Sequence, residues 1–453
     1  MGNLASTFVG QGKFDEAEKL LIQVLDLCTK LLGLEHPDTL TNMNNLAFTF
    51  SKQGNLEEAE KLNKQVLNLR TKLVGPEHSD TLVSMANLAF TFSAKGRYEE
   101  AEKLNMQVVN QRTKLLGPQH PNTLISMNDL AVNLSQQGKF EEAEKLNMQV
   151  LDLRRNLLGP EHPHTLDSMN MLALTFSKQR NFEEAEKLNK QVLNLRQKVE
   201  GPEHPNTLRN MNNLALNLSE QGKFEEAEKL NTQVLNLCTK LLGPQHPDTL
   251  VSMSNLAVNF LAQGKFEENE KLNLQVLNLR RKLLGTEHPD TLTSMSNLAL
   301  TFSKQGNFDK AEKLNMQVLN LRTKLLGSEH PDTLVSMNNL AFTFSEQGKF
   351  EEAERLNMQV LNLHRKSLGP EHPDTLASMS SLALTFSKQG KFEKAERLNM
   401  QVLNLCQKLL GPEHPDTLAS MNNLAITFSE QGKFEEAERL HFHLLNVHTH
   451  QSL

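Results

Sequence analysis

No apolar run in this 453-residue chain approaches the roughly 20 residues that a membrane-spanning helix needs, which excludes a bilayer-crossing segment. The first residues, MGNLASTFVGQGKF, lack the basic start and apolar core of a secretory signal, so a cytoplasmic location is expected. There is no excess of positive charge. The net charge is −6 and Lys alternates with Glu along the chain, leaving no basic stripe for phosphates and no expected nucleic-acid partner. Cysteine is scarce. Cys28, Cys238 and Cys406 are separated by 210 and 168 residues, both multiples of 42, so they hold one equivalent position in different copies of a unit. That spacing places them too far apart to pair, and three reduced thiols fit a reducing compartment. A glycine-rich phosphate loop, a nucleophile elbow and a paired-cysteine zinc motif are all missing, so neither catalysis nor a cofactor is expected.

What the chain does have is repetition. His36, His78, His120, His162, His204, His246, His288, His330, His372 and His414 follow one another at intervals of 42 residues, without insertion or deletion. The unit from His36 to Glu77 reads HPDTLTNMNNLAFTFSKQGNLEEAEKLNKQVLNLRTKLVGPE. In its first half Leu40, Met43, Leu46, Ala47 and Phe50 form one apolar stripe of a helix A. Pro37 suits the first helical turn, Asp38 complements the helix dipole, and Gly54 ends the helix. In the second half Leu56, Ala59, Leu62, Val66, Leu69 and Leu73 form the stripe of helix B, which Gly75-Pro76 closes. Neither helix buries its stripe alone, so successive hairpins must stack and share a continuous core.

Leu46-Ala47, Phe50, Gly54 and Ala59 resemble the small-residue and aromatic pattern of tetratricopeptide repeats, and the match recurs in every unit. The 42-residue period with its Gly-Pro-Glu-His-Pro linker is similar to the repeats of kinesin light chains. The resemblance implies an all-α fold, a right-handed α-solenoid of stacked antiparallel hairpins. Residues 1–453 are expected to form a single solenoid of about eleven hairpins. Met1-Gly2-Asn3-Leu4-Ala5 aligns with Met43-Asn44-Asn45-Leu46-Ala47, so the first helix A lacks its opening turn and the ends are expected to be uncapped, with self-association through them an option. Two departures from kinesin light chains stand out. No heptad coiled coil is present to join a motor heavy chain, and helix B carries Asn63, Asn105, Asn147, Asn189, Asn231, Asn273, Asn315, Asn357 and Asn399 where the family usually has an aromatic. If buried, these amides must hydrogen-bond between repeats or cost about 1–3 kcal/mol each.

The resemblance further implies that helices A line a concave groove and that an Asn just before the Leu-Ala pair clamps a peptide. Those positions are Asn45, Asn87, Asn213, Asn255, Asn297, Asn339 and Asn423, interrupted by Asp129, Met171 and Ser381. An amide offers donors and an acceptor to the main chain of an extended protein or peptide ligand, holding it without reading its side chains. Specificity is expected from positions that vary between units: Asp129, Asp167, Met171, Arg209, Lys178 and Glu220, in the middle units where Arg180 also replaces the turn glycine. Phe48, Phe90 and Phe342 suggest an apolar groove floor, whereas the Phe8, Phe50, Phe92 series is expected in the core.

The ten linker histidines are expected to initiate helices rather than bind metal, since stacked helices lie about 10 Å apart and zinc ligands must converge to about 2 Å. His441, His443, His448 and His450 offer no pair four residues apart, and adventitious binding is all they suggest. The leading expectation is a non-catalytic protein-binding scaffold. A structural arm of a signalling assembly, or a kinesin light chain-like cargo adaptor, is the alternative.

Overall fold

The computed structural model describes Leu4, Thr7, Phe8 and residues 14–451, with side chains described up to Leu445. Among these residues are 21 helices and no strand. Helix α1 spans Phe14–Leu32; α2 and α3 are Pro37–Gln53 and Leu56–Val74, α4 and α5 Ser79–Ala94 and Tyr98–Leu116, and α6 and α7 Pro121–Gln136 and Phe140–Leu158. Then come α8 and α9 (Pro163–Lys178, Phe182–Val199), α10 and α11 (Pro205–Glu220, Phe224–Leu242), and α12 and α13 (Pro247–Ala262, Phe266–Leu284). The series closes with α14 and α15 (Pro289–Lys304, Phe308–Leu326), α16 and α17 (Pro331–Glu346, Phe350–Ser367), α18 and α19 (Pro373–Lys388, Phe392–Leu410), and α20 and α21 (Pro415–Glu430, Phe434–Gln451). Even-numbered helices are the A helices of the repeat and odd-numbered ones the B helices. The chain is an all-α solenoid of such hairpins and divides into two compact units, residues 1–301 with 323–330, and 302–322 with 331–453. No helix among the described residues is long and apolar enough to cross a membrane.

Nine of the ten described A helices start the same way. His36 holds an extended conformation, and its Nδ1 accepts the backbone N–H of Asp38 at 3.2 Å, with Pro37 in the first turn. His78, His120, His162, His204, His246, His288, His372 and His414 repeat that cap. The following Thr is fully buried, and in most A helices it ties the helix back to the linker, as Thr39 Oγ1 donates to the Gly33 carbonyl at 2.8 Å; the hydroxyls of Thr291 and Thr333 are buried without a partner. Gly54 ends α2 in the left-handed conformation at φ 85°, letting the Asn55 N–H return to the Phe50 carbonyl at 2.8 Å. Arg180 occupies the same turn at φ 59° without glycine's freedom, a conformation that costs an L-residue about 1–2 kcal/mol.

The stripes interlock as their spacing requires. Leu40, Met43 and Val66 are buried together between α2 and α3, and Leu25 of the preceding hairpin packs on them. Leu88, Ala89, Phe92 and Ala101 gather against Leu67 of the hairpin before. The Phe92 series is thus core, with Phe302 and Phe386 equally enclosed. Burying a side chain of this size stabilises by about 2 kcal/mol, and here every such burial also joins two repeats.

Three polar rails run alongside this core. The helix-B asparagines are buried and bridge forward: Asn63, Asn147 and Asn273 donate to the hydroxyls of Thr91, Thr175 and Thr301 in the first unit, and Asn315, Asn357 and Asn399 to Thr343, Thr385 and Thr427 in the second. A second rail is formed by Arg70, Arg112, Arg154, Arg280 and Arg322, each donating to a carbonyl and a serine hydroxyl at the start of the next A helix. Cys28, Cys238 and Cys406 sit at this arginine position. The Cys238 and Cys406 sulfurs accept from Ser252 and Ser420 at 3.6 and 3.5 Å. The third rail lies at the hairpin turns, where Gln221 and Lys223 both reach Glu186 of the preceding B helix, at 2.8 and 2.7 Å. Burial works to raise the Glu186 carboxyl, yet hydrogen bonds from Lys190, Lys223 and Gln221 hold it down at about 2.

Within the first unit the chain also returns on itself. The His288 ring stacks on Phe14 with centroids 6.0 Å apart and planes 9° from parallel. Pro289 closes so tightly on the α2–α3 turn that a Cβ at Gly54 would stand 3.2 Å from its Cγ, and His330 Nε2 meets the Ala94 carbonyl at 2.8 Å. Because His288 Nδ1 accepts the Asp290 N–H, the neutral ring carries its proton on Nε2, which is buried without a partner. Burial lowers the His288 pKa, Asp290 and Asp15 pull it upward, and Arg280 pushes it down. A histidine whose folded pKa is lowered contributes stability that is complete above its ordinary value and is lost as pH falls towards the lowered one. As pH falls from about 7.5 to about 5.5, amides at the start of α1 and in the α2–α3 turn are expected to lose protection in excess of the change in their intrinsic exchange rate. A His288→Gln variant should lack the excess, and equal excess in both proteins would remove His288 from the contact.

Candidate binding groove

Four positions of each A helix stay open after packing. In α2 they are Thr41, Asn45, Phe48 and Lys52, spaced so that all lie on one face. From α2 to α20 the equivalents of Phe48 are all apolar and all exposed, from 37% at Val132 and Phe342 to 54% at Leu384. A residue type that the core would readily accept is therefore held out of it in each of these ten A helices, and together these side chains form an apolar stripe along the A helices of each unit.

The asparagines expected to clamp a peptide lie one helical turn before that stripe. Asn45 and Asn213 are exposed and Asn87, Asn255 and Asn297 half-buried in the first unit, with Asn339 half-buried and Asn423 exposed in the second. Their backbone carbonyls are occupied, as Asn87 shows by accepting from Thr91 Oγ1 at 3.0 Å, while their side-chain amides make no hydrogen bond within the protein. Amides without internal partners beside an apolar stripe supply what a bound main chain needs: donors, acceptors and a surface for alternate side chains.

The residues expected to set specificity are placed less uniformly. Asp129 and Met171 take the asparagine position in α6 and α8. Desolvation by the surrounding helices raises the Asp129 carboxyl above the ordinary carboxylate range, with Arg112 opposing, and Asp129 has no hydrogen-bond partner. Arg209 is exposed at the first open position of α10. Asp167, at that same position in α8, is engaged internally, its Oδ1 taking a 2.6 Å bond from Arg196 and its Oδ2 lying 3.7 Å from His164 Nδ1. Lys178 and Glu220 hold the last open position of neighbouring A helices. Burial raises the Glu220 carboxyl while Lys178 and Arg180 draw it down. The same position pairs Lys388 with Glu346 at 2.5 Å in the second unit, so alternating signs there link adjacent repeats.

A cavity of about 360 Å³ opens in the first unit where α2, α4 and α6 meet, lined by Asn44, Phe48, Asn87, Phe90, Asp129 and Val132 among others. Ala86 also lines it, at a position held by Asn or Ser in every other unit from Asn44 to Asn422. That substitution is visible in the sequence once the units are aligned, though its meaning depends on the neighbouring helices. Among the described residues no three His, Cys, Asp or Glu side chains are gathered as metal ligands would be. His441 and His443 are exposed near the end of α21, whereas the side chains of His448 and His450 lie outside the described residues.

Stacked two-helix repeats of fixed length, with one open face per A helix, define a repeat solenoid. The tetratricopeptide repeat model matches in ten overlapping stretches from residues 1–72 through 388–447, and the chain belongs to that family, with repeats of the kinesin light chain type. It is similar, at 35% identity, to the crystal structure of nearly identical TPR-like repeats of a putative kinesin light chain from Podosopora anserina. That match covers 45% of this chain and 97% of that one, with a TM-score of 0.40. BtubC (BKLC) from P. vanneervenii matches at 20% identity over 51% of this chain and 92% of that one, with a TM-score of 0.42. No curated protein matches the chain.

Proposed function

We propose that the chain is a non-catalytic scaffold that binds protein or peptide ligands along the open faces of its A helices. The observation that carries this reading is the pairing, repeat after repeat, of an internally unpartnered amide with an exposed apolar side chain one turn on, as in Asn213 with Leu216, Asn255 with Val258 and Asn297 with Leu300. Leaving large apolar groups in water sacrifices about 2 kcal/mol of burial each, and a ligand laid on the stripe recovers part of it. The amides would hold the ligand's main chain, and the variable positions around them would choose its side chains.

The test is selection of displayed peptides on the purified chain and on an Asn213→Ala/Asn255→Ala/Asn297→Ala variant of equal helicity. A defined set of binders on the parent, weakened about tenfold or more on the variant, is expected. Binders indifferent to the change, or none at all, would shift the reading to a structural arm whose repeats supply length.

A further inference from the structure

The cavity among α2, α4 and α6 differs from the rest of the groove in three respects. It is the place where two phenylalanines are consecutive in the apolar row, Phe48 at 45% and Phe90 at 49% exposure, followed by Val132. Ala86 removes the polar side chain that every other unit from Asn44 to Asn422 carries at its position. Asp129 replaces the neutral amide with a carboxylate that nothing in the protein bonds, and it is the one ionisable side chain lining the cavity.

The polar wall carries two stranded acceptors against one stranded donor, the buried Nδ2 of Asn133. Asn63 Oδ1 is buried without a donor, and its orientation is fixed because its Nδ2 donates to Thr91 Oγ1 at 2.9 Å while that hydroxyl donates onward to the Asn87 carbonyl. Asn44, 7% exposed, likewise has a buried Oδ1 with no donor. Aromatic faces add attraction for cations. The protein itself shows this, since Lys52 Nζ lies 5.3 Å from the Phe48 ring centre and 5.9 Å from that of Phe90. Lys52 is exposed at the end of α2 and bonds no carboxylate, so it rests on the rings and is displaceable.

Resting on the groove reading above, we infer that this cavity is a subsite for a peptide segment that presents a Lys or Arg side chain beside a bulky apolar one. The apolar side chain seats on Phe48, Phe90 and Val132. The cation pairs with Asp129 and takes the place of Lys52 on the rings, while the Asn87 amide holds the adjoining main chain. Charge complementarity decides the sign: Asp129 is the one ionisable side chain lining the cavity, so a ligand anion would meet a like charge there, and the nearby Lys52 ammonium is already engaged by the rings. Asp129 is exposed at the cavity, within reach of a ligand cation, and the neighbouring helices raise its carboxyl, so a paired cation would favour the charged form.

Random nonapeptides displayed on phage and selected on the full chain provide the test, with recovered peptides remade and their Kd measured by fluorescence anisotropy. Peptides combining Lys or Arg with a neighbouring aromatic or aliphatic residue are expected. Asp129→Asn should weaken them about tenfold, and Lys52→Met, which removes the competing cation, should tighten them severalfold. Recovered peptides without cation enrichment, or unaffected by Asp129→Asn, would overturn the subsite. If those same peptides are lost on the Asn213→Ala/Asn255→Ala/Asn297→Ala variant, the groove reading survives that failure. No selection on any protein would overturn both.

Discussion

Replacing Asn147 by leucine is expected to raise the free energy of unfolding by about 2 kcal/mol, although it deletes a well-formed buried hydrogen bond. Asn147 is 2% exposed and donates to Thr175 Oγ1 at 2.9 Å, while its Oδ1 is buried with no donor. Losing the bond costs about 1 kcal/mol, removing the orphan carbonyl recovers about 1–3 kcal/mol, and the leucine methyls add burial in a space of similar volume. The threonine is not stranded, since its hydroxyl still donates to the Met171 carbonyl at 3.0 Å. Asn63 and Asn231 carry the same orphan oxygen, and lying in separate repeats they should add, giving about 6 kcal/mol for the triple variant. Asn315, whose oxygen is not stranded in this way, is the control and should gain less. Urea midpoints with unchanged slopes measure the effect. A triple variant no more stable than the parent would show that the oxygens are satisfied in solution, and the rail would then be a net source of stability.

That rail also shows how far the sequence could be read. Hairpin boundaries, caps and stripes followed from local spacing, because each depends on residues within a few turns of one another. His36 capping Asp38, Gly54 at φ 85° and Phe92 in the core are all of this kind. The identical period made the asparagine bridges foreseeable too, since one contact between neighbours implies all the others. Features that break the period were legible only as oddities. Ala86 and Asp129 stand out in an alignment of the units, but that they line one cavity depends on the curvature of successive A helices. The stacking of His288 on Phe14 joins residues far apart in sequence and depends on the pitch of the solenoid, which no short window encodes. Alternation of sign along Lys178 and Glu220 looked like freedom to choose a ligand, whereas part of that charge is spent between neighbouring helices.

Asp167 carries the sharpest case of this kind, and Asp167→Ala is expected to cost about 2 kcal/mol of stability. In most units the rail arginine meets a serine, but here Asn210 stands in the serine position and bonds Asn170 Oδ1 at 2.8 Å instead. Arg196, 1% exposed, turns to Asp167 at 2.6 Å and to Glu200 at 3.2 Å, and its Nε is left without a partner. Glu200 is available because α9 ends at Val199, and it in turn lies 2.9 Å from His204 Nδ1. Removing one partner of a buried charge commonly costs about 3–5 kcal/mol; the lower figure reflects Glu200 remaining in place and Asp167 being 48% exposed. The sequence supplies its own control. Arg196→Cys with Asn210→Ser recreates the Cys238–Ser252 pair, and in that background there is no buried guanidinium for Asp167 to neutralise. Asp167→Ala should then change stability by no more than about 0.5 kcal/mol, the ordinary range for a surface site. An interaction energy near zero in this cycle, together with weaker peptide binding by Asp167→Ala alone, would return Asp167 to the groove as a ligand contact. A large one identifies it as the counter-ion that this repeat needs because it gave up its serine.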